Sequence, residues 1–251
     1  MRKYILAFFL LALAAPAVHA AADHTERVSR TLEMDPGGTL RLKNFSGRVT
    51  ITASDRSEIV IDAVRRGTRE RLDQIKLDIR TNVPNVVTVD ANRRDGSWYD
   101  FLGRNSVVET DFDIKVPRRT NLDISVFSSP VTVTGIEGSH KVNGFSSRLT
   151  LDEVAGPITA HTFSGTVVIR ESSWKSGQTI DVETFSGNVE LRVPDTARGS
   201  ISFNSFSGRL NSEMPLTLHQ STRRSVTADL GGGGDGRLRF KTFSGSVRID
   251  R

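Results

Sequence analysis

The residues that could do acid–base chemistry in this chain are His161, Asp181 and Glu183. His161 and Glu183 each stand two places before a repeated phenylalanine, so stacked repeats would place them in one outward column. Asp181 would share that face. Two carboxylates at a suitable separation act as acid and base in glycoside hydrolysis. The alternative is a polar outer column that keeps a sheet soluble, and the sequence favours this alternative.

Metal and phosphate chemistry have little support in the sequence. The interior histidines His140, His161 and His219 lack metal-ligand spacing, and the chain contains no cysteine. The segment GGGGDG at 231–236 holds one acid, Asp235, at the wrong spacing for a calcium-binding nonapeptide repeat, and predicts a flexible turn. No phosphate loop, serine elbow or zinc motif is present. We therefore predict no metal, no cofactor and no catalytic residue.

Two aromatic segments are candidate ligand contacts. Trp98, Tyr99 and Phe101 fall in a long loop, and Trp174 lies in the segment RESSWKSGQ. Exposed aromatic side chains stack well on sugars and at protein interfaces. The alternative is that both segments fold back as lids over the rest of the protein, and we favour the lid.

The first twenty residues predict a secretory signal peptide. Arg2 and Lys3 precede an apolar run that is too short to span a bilayer, and the small-residue site VHA places cleavage after Ala20. No later stretch is apolar enough to cross a membrane. Without cysteine there is no lipidated N-terminal cysteine and no disulfide. The sequence thus predicts a soluble protein exported to the periplasm, the cell surface or the medium.

The charge of the chain argues against nucleic acid as a partner. The formal net charge of +5 falls to +3 when Arg2 and Lys3 are removed, and the arginine pairs stand beside turn residues rather than in one stripe. The expected partner is an envelope or surface polymer or protein.

A Phe-Ser-Gly or Phe-Ser-Ser motif occurs seven times, and we expect it to be an architectural corner. Between Phe127 and Phe206 the steps are 18, 18, 22 and 21 residues, too short for helical repeats. The longer gaps before Phe127 and Phe243 predict further windings whose corners have been lost. The residues of the corner are Phe45, Phe127, Phe145, Phe163, Phe185, Phe206 and Phe243, with Gly47, Gly165, Gly187, Gly208 and Gly245.

The apolar residues around the motif predict two strands joined by a turn. Residues five and three places before the phenylalanine are mostly apolar, and so are those four and six places after it. Both sets can face one core only if the chain turns between them, and glycine accepts the positive φ of such a turn. The phenylalanines share the parity of the second strand, so we expect them to point inward and stack in a buried column. Polar columns are expected on the outer wall.

The sequence predicts an all-β fold, a single-stranded β-solenoid or β-helix with about 18–22 residues per coil. After the signal peptide (1–20), residues 21–120 form a less regular antiparallel β region with an early corner and a cap. Residues 121–251 form the Phe-Ser-Gly repeat solenoid, continuous with 21–120. Within the first region three strands, a short helix that runs into a strand, and two further strands joined by the aromatic loop are predicted.

The layout resembles the bacterial "putative adhesin" family of envelope proteins. The resemblance is carried by the opening PGGTLRLKNFSGRVTI, the mid-chain FDIKVP, a run of Ser-Gly turns and the closing TFSGSVRI after a glycine-rich loop. It covers most of the chain and implies an exported β-solenoid, with no catalytic residues to carry over. This chain differs in having phenylalanine at nearly every corner.

Together these features predict a non-catalytic, adhesin-like or envelope-associated binding or scaffold protein. Two alternatives stay open: a polysaccharide-active β-helix enzyme, and a periplasmic component of envelope-stress signalling.

Overall fold

The computed structural model describes residues 24–94 and 107–251, and almost every regular element is a β-strand. One short helix, α1 (Arg69–Gln74), begins after Thr68, whose hydroxyl accepts a hydrogen bond from the Arg71 amide. The strands in chain order are β1 (His24–Glu33), β2 (Gly38–Ser46), β3 (Val49–Ser54), β4 (Glu58–Gly67), β5 (Ile75–Val83), β6 (Val86–Arg94), β7 (Glu109–Pro117), β8 (Thr120–Ser128), β9 (Val131–Thr134), β10 (His140–Ser146), β11 (Leu149–Val154), β12 (Ile158–Ser164), β13 (Val167–Glu171), β14 (Thr179–Ser186), β15 (Val189–Arg192), β16 (Gly199–Ser205), β17 (Leu210–Ser212), β18 (Leu216–Ser221), β19 (Ser225–Leu230), β20 (Gly236–Thr242) and β21 (Val247–Asp250).

The strands form two large mixed sheets. Sheet 1 has ten strands in the order β1-β4-β7-β3-β9-β11-β13-β15-β21-β17. Sheet 2 has eleven, in the order β18-β19-β16-β20-β14-β12-β10-β8-β2-β6-β5. The long middle of each sheet is parallel, and the antiparallel pairs lie at the ends. The all-β prediction is confirmed.

The chain passes from sheet 2 to sheet 1 through each Phe-Ser-Gly corner, and we call one such strand–corner–strand unit a winding. Neighbouring windings pair in register, so that His140 lies beside Ile158 in sheet 2 while Leu149 lies beside Val167 in sheet 1. The apolar residues before and after the corner are buried and join into one hydrophobic cluster between the sheets. The predicted alternation around the corner is therefore confirmed.

The predicted single-stranded order of coils is wrong at both ends of the stack. The β20–β21 winding lies between β14–β15 and β16–β17, although it follows both in sequence. At the other end β2 pairs directly with β8, and β6–β7 lies on the outer side of β2–β3. The gap before Phe243 thus holds the antiparallel strands β18 and β19 and not a winding with a lost corner. In the gap before Phe127, β6 and β7 pair in parallel with β2 and β3, one in each sheet, and the antiparallel strands β4 and β5 also lie there.

The ends of the stack carry its irregular parts. The predicted strand–helix–strand succession of the first region is confirmed: β4 is followed by α1 and β5, and β1 and β5 are the outermost strands at that end. Antiparallel strands also occur at the far end, where β18 and β19 follow β16, which the sequence did not predict. No helix within the described residues is long and apolar enough to cross a membrane.

Candidate functional site

The seven corner phenylalanines form one continuous column on the outside of sheet 2. Neighbouring ring centroids lie 4.6–4.9 Å apart and the ring planes deviate by at most 9° from parallel. The separations together give a column about 29 Å long. Its order in space is Phe45, Phe127, Phe145, Phe163, Phe185, Phe243 and Phe206.

The expectation that these rings point inward is wrong, although they do stack. Between 38% and 52% of each phenylalanine is exposed. The reason is that the strand of sheet 2 continues through the first residues of the motif, as in β12, which ends at Ser164. Phe163 therefore keeps the alternation of the preceding strand, and Thr162 before it is buried instead.

The column exposes a large apolar surface. Each Phe side chain has roughly 200 Å² of surface, so seven half-exposed rings present about 600 Å². That reaches the upper end of the range for the largest apolar patch of a typical monomer, and patches of this size are often functional. At one end of the column the guanidinium of Arg224 lies 4.5 Å from the centroid of the Phe206 ring, a cation–π contact.

The corner glycines are needed mainly because adjacent windings approach each other closely. A Cβ on Gly187 would overlap the carbonyl oxygen of Gly165, and one on Gly245 would overlap that of Gly187. Of the five corner glycines only Gly47 and Gly165 have positive φ, at 105° and 138°. The predicted turn conformation thus explains only part of the glycine requirement.

A groove runs beside the phenylalanine column, with a volume of ≈ 630 Å³. One wall is the ring edges of Phe145, Phe163 and Phe185. The other is the polar column two places earlier, whose members pair in register across the strands: Asn143, His161, Glu183 and Lys241. Because residues at these two positions of a strand point to the same face, the groove follows the stacking direction.

The structure brings His161 and Glu183 together as register neighbours, but it surrounds the acids with cations. Lys241 Nζ lies 3.0 Å from Glu183 Oε1, and the Lys241 hydrogen bond holds the pKa of Glu183 below its usual value. Arg239 Nη1 lies 2.9 Å from Asp181 Oδ2. An acid kept ionised in this way is a poor proton donor, so the geometry does not favour acid–base chemistry here.

Basic side chains flank the column on both sides. Within the described part of the chain, four exposed cations two places before or three places after a ring have no carboxylate oxygen within 4.0 Å of their side-chain nitrogens, although Asp111 Oδ1 accepts a hydrogen bond from the Arg48 backbone N–H over 2.7 Å. They are Lys43, Arg48, Arg148 and Arg209. Glu183 is the only carboxylate at these two positions in all seven windings, and it is paired with Lys241.

Of the aromatic residues that the sequence analysis offered as ligand contacts, the structure describes only one. Trp98, Tyr99 and Phe101 lie outside the described residues. Trp174 is partly buried and packs against the core, where its indole N–H donates to the Arg198 carbonyl over 3.0 Å. A ligand-binding role for Trp174 stays a prediction. Asp235 in the glycine-rich turn accepts a hydrogen bond from the Ser176 hydroxyl.

Two buried titratable groups lie at the other end of the windings, away from the column. Burial lowers the pKa of His140 to about 4, and its Nδ1 has no hydrogen-bond partner among the described residues. Burial raises the pKa of Glu171 to about 8, although Gln178 Nε2 donates to its Oε1 over 2.7 Å. Sequence analysis named His140 only to reject a metal site and did not single out Glu171. The signal that could have found both is that each stands where the repeat has an apolar residue. Within the described ranges no group of three or more His, Cys, Asp or Glu could hold a metal ion.

Comparison with known proteins shows likeness in fold only. No protein-family model matches the chain, and no curated protein matches it in sequence. A putative cell adhesion protein from Clostridium sporogenes superposes with a TM-score of 0.50 at 11% identity, covering 90% of this chain and 99% of that one. A putative adhesin from Bacteroides fragilis gives a TM-score of 0.33 at 8% identity over 89% and 97% of the two chains. The first likeness supports the two-sheet fold.

Proposed function

We propose that this chain is an exported, non-catalytic binding protein, adhesin-like or scaffolding, that presents the phenylalanine column as its binding face. The observation that carries the proposal is the exposed column itself. Seven apolar rings held in contact with solvent cost free energy unless a partner covers them, and here a rigid pair of sheets holds them in line.

The proposal also includes the localisation of the protein and the arrangement of its regions. Residues 1–20 are a signal peptide, and the mature protein reaches the periplasm, the cell surface or the medium. Residues 21–120 cap the stack and residues 121–251 continue it, so that the windings act as one β-solenoid scaffold. Kinship with the "putative adhesin" family rests on the quoted segments and on the fold of the C. sporogenes protein.

No specific observation supports either of the two alternatives. A polysaccharide-active enzyme would lose activity on Glu183→Gln, but Glu183 is ion-paired with Lys241 and lies in an open groove. A role in envelope-stress signalling has no feature of the described residues in its favour. Hydrolysis of envelope polysaccharide that Glu183→Gln abolishes would replace the binding proposal with the enzymatic one.

The test is capture of material from the envelope fraction of the source organism by the immobilised protein. The variant replaces three central rings, Phe145, Phe163 and Phe185, by serine. The matched control is Leu218→Ser, because Leu218 is an exposed apolar residue, 58% accessible, on β18 away from the column. We expect the triple variant to lose the captured material and the control to keep it. Equal capture by both would overturn the proposal.

A further inference from the structure

We propose that the groove along the phenylalanine column binds a single-chain anionic amphiphile, with its alkyl chain against the ring edges and its head on the flanking cations. The inference rests on the proposed binding function and names the class of ligand.

Ring stacking determines which part of each phenylalanine a ligand can touch. The five inner rings have a neighbour on each face at 4.6–4.9 Å, so only their edges reach solvent. Sugars and flat aromatic ligands bind best to ring faces, which are covered here. Ring edges carry C–H groups with a weak positive charge and offer a purely apolar surface. An alkyl chain can bind to such a surface through apolar contact alone.

The shape of the groove favours a long, narrow ligand. The column is about 29 Å long with nearly parallel rings, and the groove beside its central rings Phe145, Phe163 and Phe185 is only as wide as the spacing of two outward positions on one strand. A peptide strand is a poorer fit, because it would need hydrogen-bond partners for its backbone. The backbone groups of the central parallel strands are engaged within the sheet, as in the pairing of β12 with β10 and β14.

The charge along the column selects the sign of the head group. Lys43 and Arg48 flank Phe45 at one end, Arg209 and Arg224 lie beside Phe206 at the other, and Arg148 lies between. The two positions that flank the rings hold one carboxylate, Glu183, and Lys241 neutralises it. These end cations lie beyond the residues that line the groove, so the head group must extend past it along the column. There an anionic head would meet two cations at either end, with Asp111 beside Arg48 as the nearby acid, whereas a cationic head would meet repulsion.

The experiment is calorimetric titration of the purified protein with monomeric hexadecanoate, below its micelle concentration, in parallel with hexadecyltrimethylammonium. We expect hexadecanoate to bind at least about tenfold more tightly, a difference of about 1.4 kcal/mol. The double variant Phe145→Ser/Phe163→Ser should abolish binding of both. Lys43→Gln/Arg48→Gln, with the second pair Arg209→Gln/Arg224→Gln, should bring hexadecanoate down to the level of the cation.

Matched controls separate the column from general effects. Leu218→Ser removes exposed apolar surface elsewhere, and Lys175→Gln/Arg192→Gln removes two exposed cations that lie away from the column; both should bind like the parent protein. If the serine variants do not fold, Asn143→Trp fills the groove from an outer position and should block hexadecanoate instead.

Equal affinity for the two head groups, or hexadecanoate binding that survives both Phe145→Ser/Phe163→Ser and Asn143→Trp, would overturn the inference. So would binding to vesicles of anionic phospholipid with none to the monomer. Envelope capture that still depends on the column while hexadecanoate fails to bind would leave the proposed function standing and remove only the amphiphile. If neither envelope capture nor hexadecanoate binding depends on the column, both the proposed function and the amphiphile inference are overturned.

Discussion

Two kinds of corner alternate along the chain, one within each winding and one between successive windings, and they differ in how much variation they accept. The Phe-Ser-Gly corner joins its strands through two residues in five windings, at 47–48, 129–130, 147–148, 165–166 and 187–188. The opposite corner, which leads from sheet 1 back to sheet 2, uses between three and seven residues, at 135–139, 155–157, 172–178 and 193–198. In these five windings the Phe-Ser-Gly corner thus keeps one length, whereas the opposite corner varies.

Backbone packing holds neighbouring windings together at the Phe-Ser-Gly corner, whereas side chains do so at the opposite corner. At the Phe-Ser-Gly corner, the carbonyl of one winding lies against the glycine of the next, so an insertion would break the column. At the opposite corner individual side chains hold the loops, as when Gln178 Nε2 donates to the Gly156 carbonyl over 2.6 Å. Such bonds are local, and each loop can have its own.

The largest effect is expected from Gly187→Ala at the Phe-Ser-Gly corner. The new Cβ would overlap the Gly165 carbonyl, and we expect the free energy of unfolding to fall by about 3 kcal/mol or more. The control is Gly177→Ala at the opposite corner, where no atom lies within 4 Å and only the φ of 71° is unfavourable, at about 1–2 kcal/mol. Denaturant unfolding measures both, and equal losses would contradict the proposed difference between the corners.

Glu171→Gln tests the opposite corner through pH. The folded pKa of about 8 lies above the unfolded value of 4.5, so the unfolded chain loses its proton first and stability falls as pH rises between these values. At pH 7 this amounts to about 3 kcal/mol. Glu171→Gln should flatten the fall over this range, measured by unfolding from pH 4.5 to 8. An unchanged slope would show that Glu171 is already ionised in the folded protein.

His140→Leu tests the opposite corner at acid pH, next to the loop at 135–139. The folded pKa of about 4 lies below the unfolded value of 6.5, so stability is lost as pH falls through this range. Neighbours in register are Leu122 and Ile158, so leucine suits the site. We expect the variant to be more stable than the parent by about 2 kcal/mol at pH 5 and to show less dependence on pH. A variant that is less stable at pH 5 would rule out this cause.

The smallest effect on stability is expected from Phe163→Ser. The ring is 47% exposed, so its removal should cost only about 1 kcal/mol of unfolding free energy, far less than a core phenylalanine. Phe240→Ala in the core, with no exposed surface, is the comparison and should cost about 3–5 kcal/mol. Similar losses for the two would mean that the column is a structural core and not a binding face.

The sequence predicts the features that repeat. Period-two alternation identified the buried residues on both sides of the corner, and the glycines marked the place where the chain changes sheets. The parity of the phenylalanines was mispredicted, because the sequence does not show whether the turn begins before or after Phe163. One residue of uncertainty in that boundary reverses the direction of the side chain.

The features that the sequence could not predict depend on long-range pairing. Phe45 and Phe127 are 82 residues apart in the chain, yet their rings stack at 4.6 Å. Nothing in the local pattern tells which windings are neighbours, since all of them present similar edges. The groove and its charges follow from that order, as in the ion pair between Glu183 and Lys241.

The interior position of β20 and β21 has a consequence for how the protein folds. A growing chain makes β14 and β16 first, and these two strands must not join each other, because residues 236–250 later have to lie between them. Both edges therefore wait unpaired until the final segment is inserted. Such late closure by distant contacts is slow, and open parallel edges invite association between chains. Truncation at residue 235 would remove the middle of the stack rather than its tip.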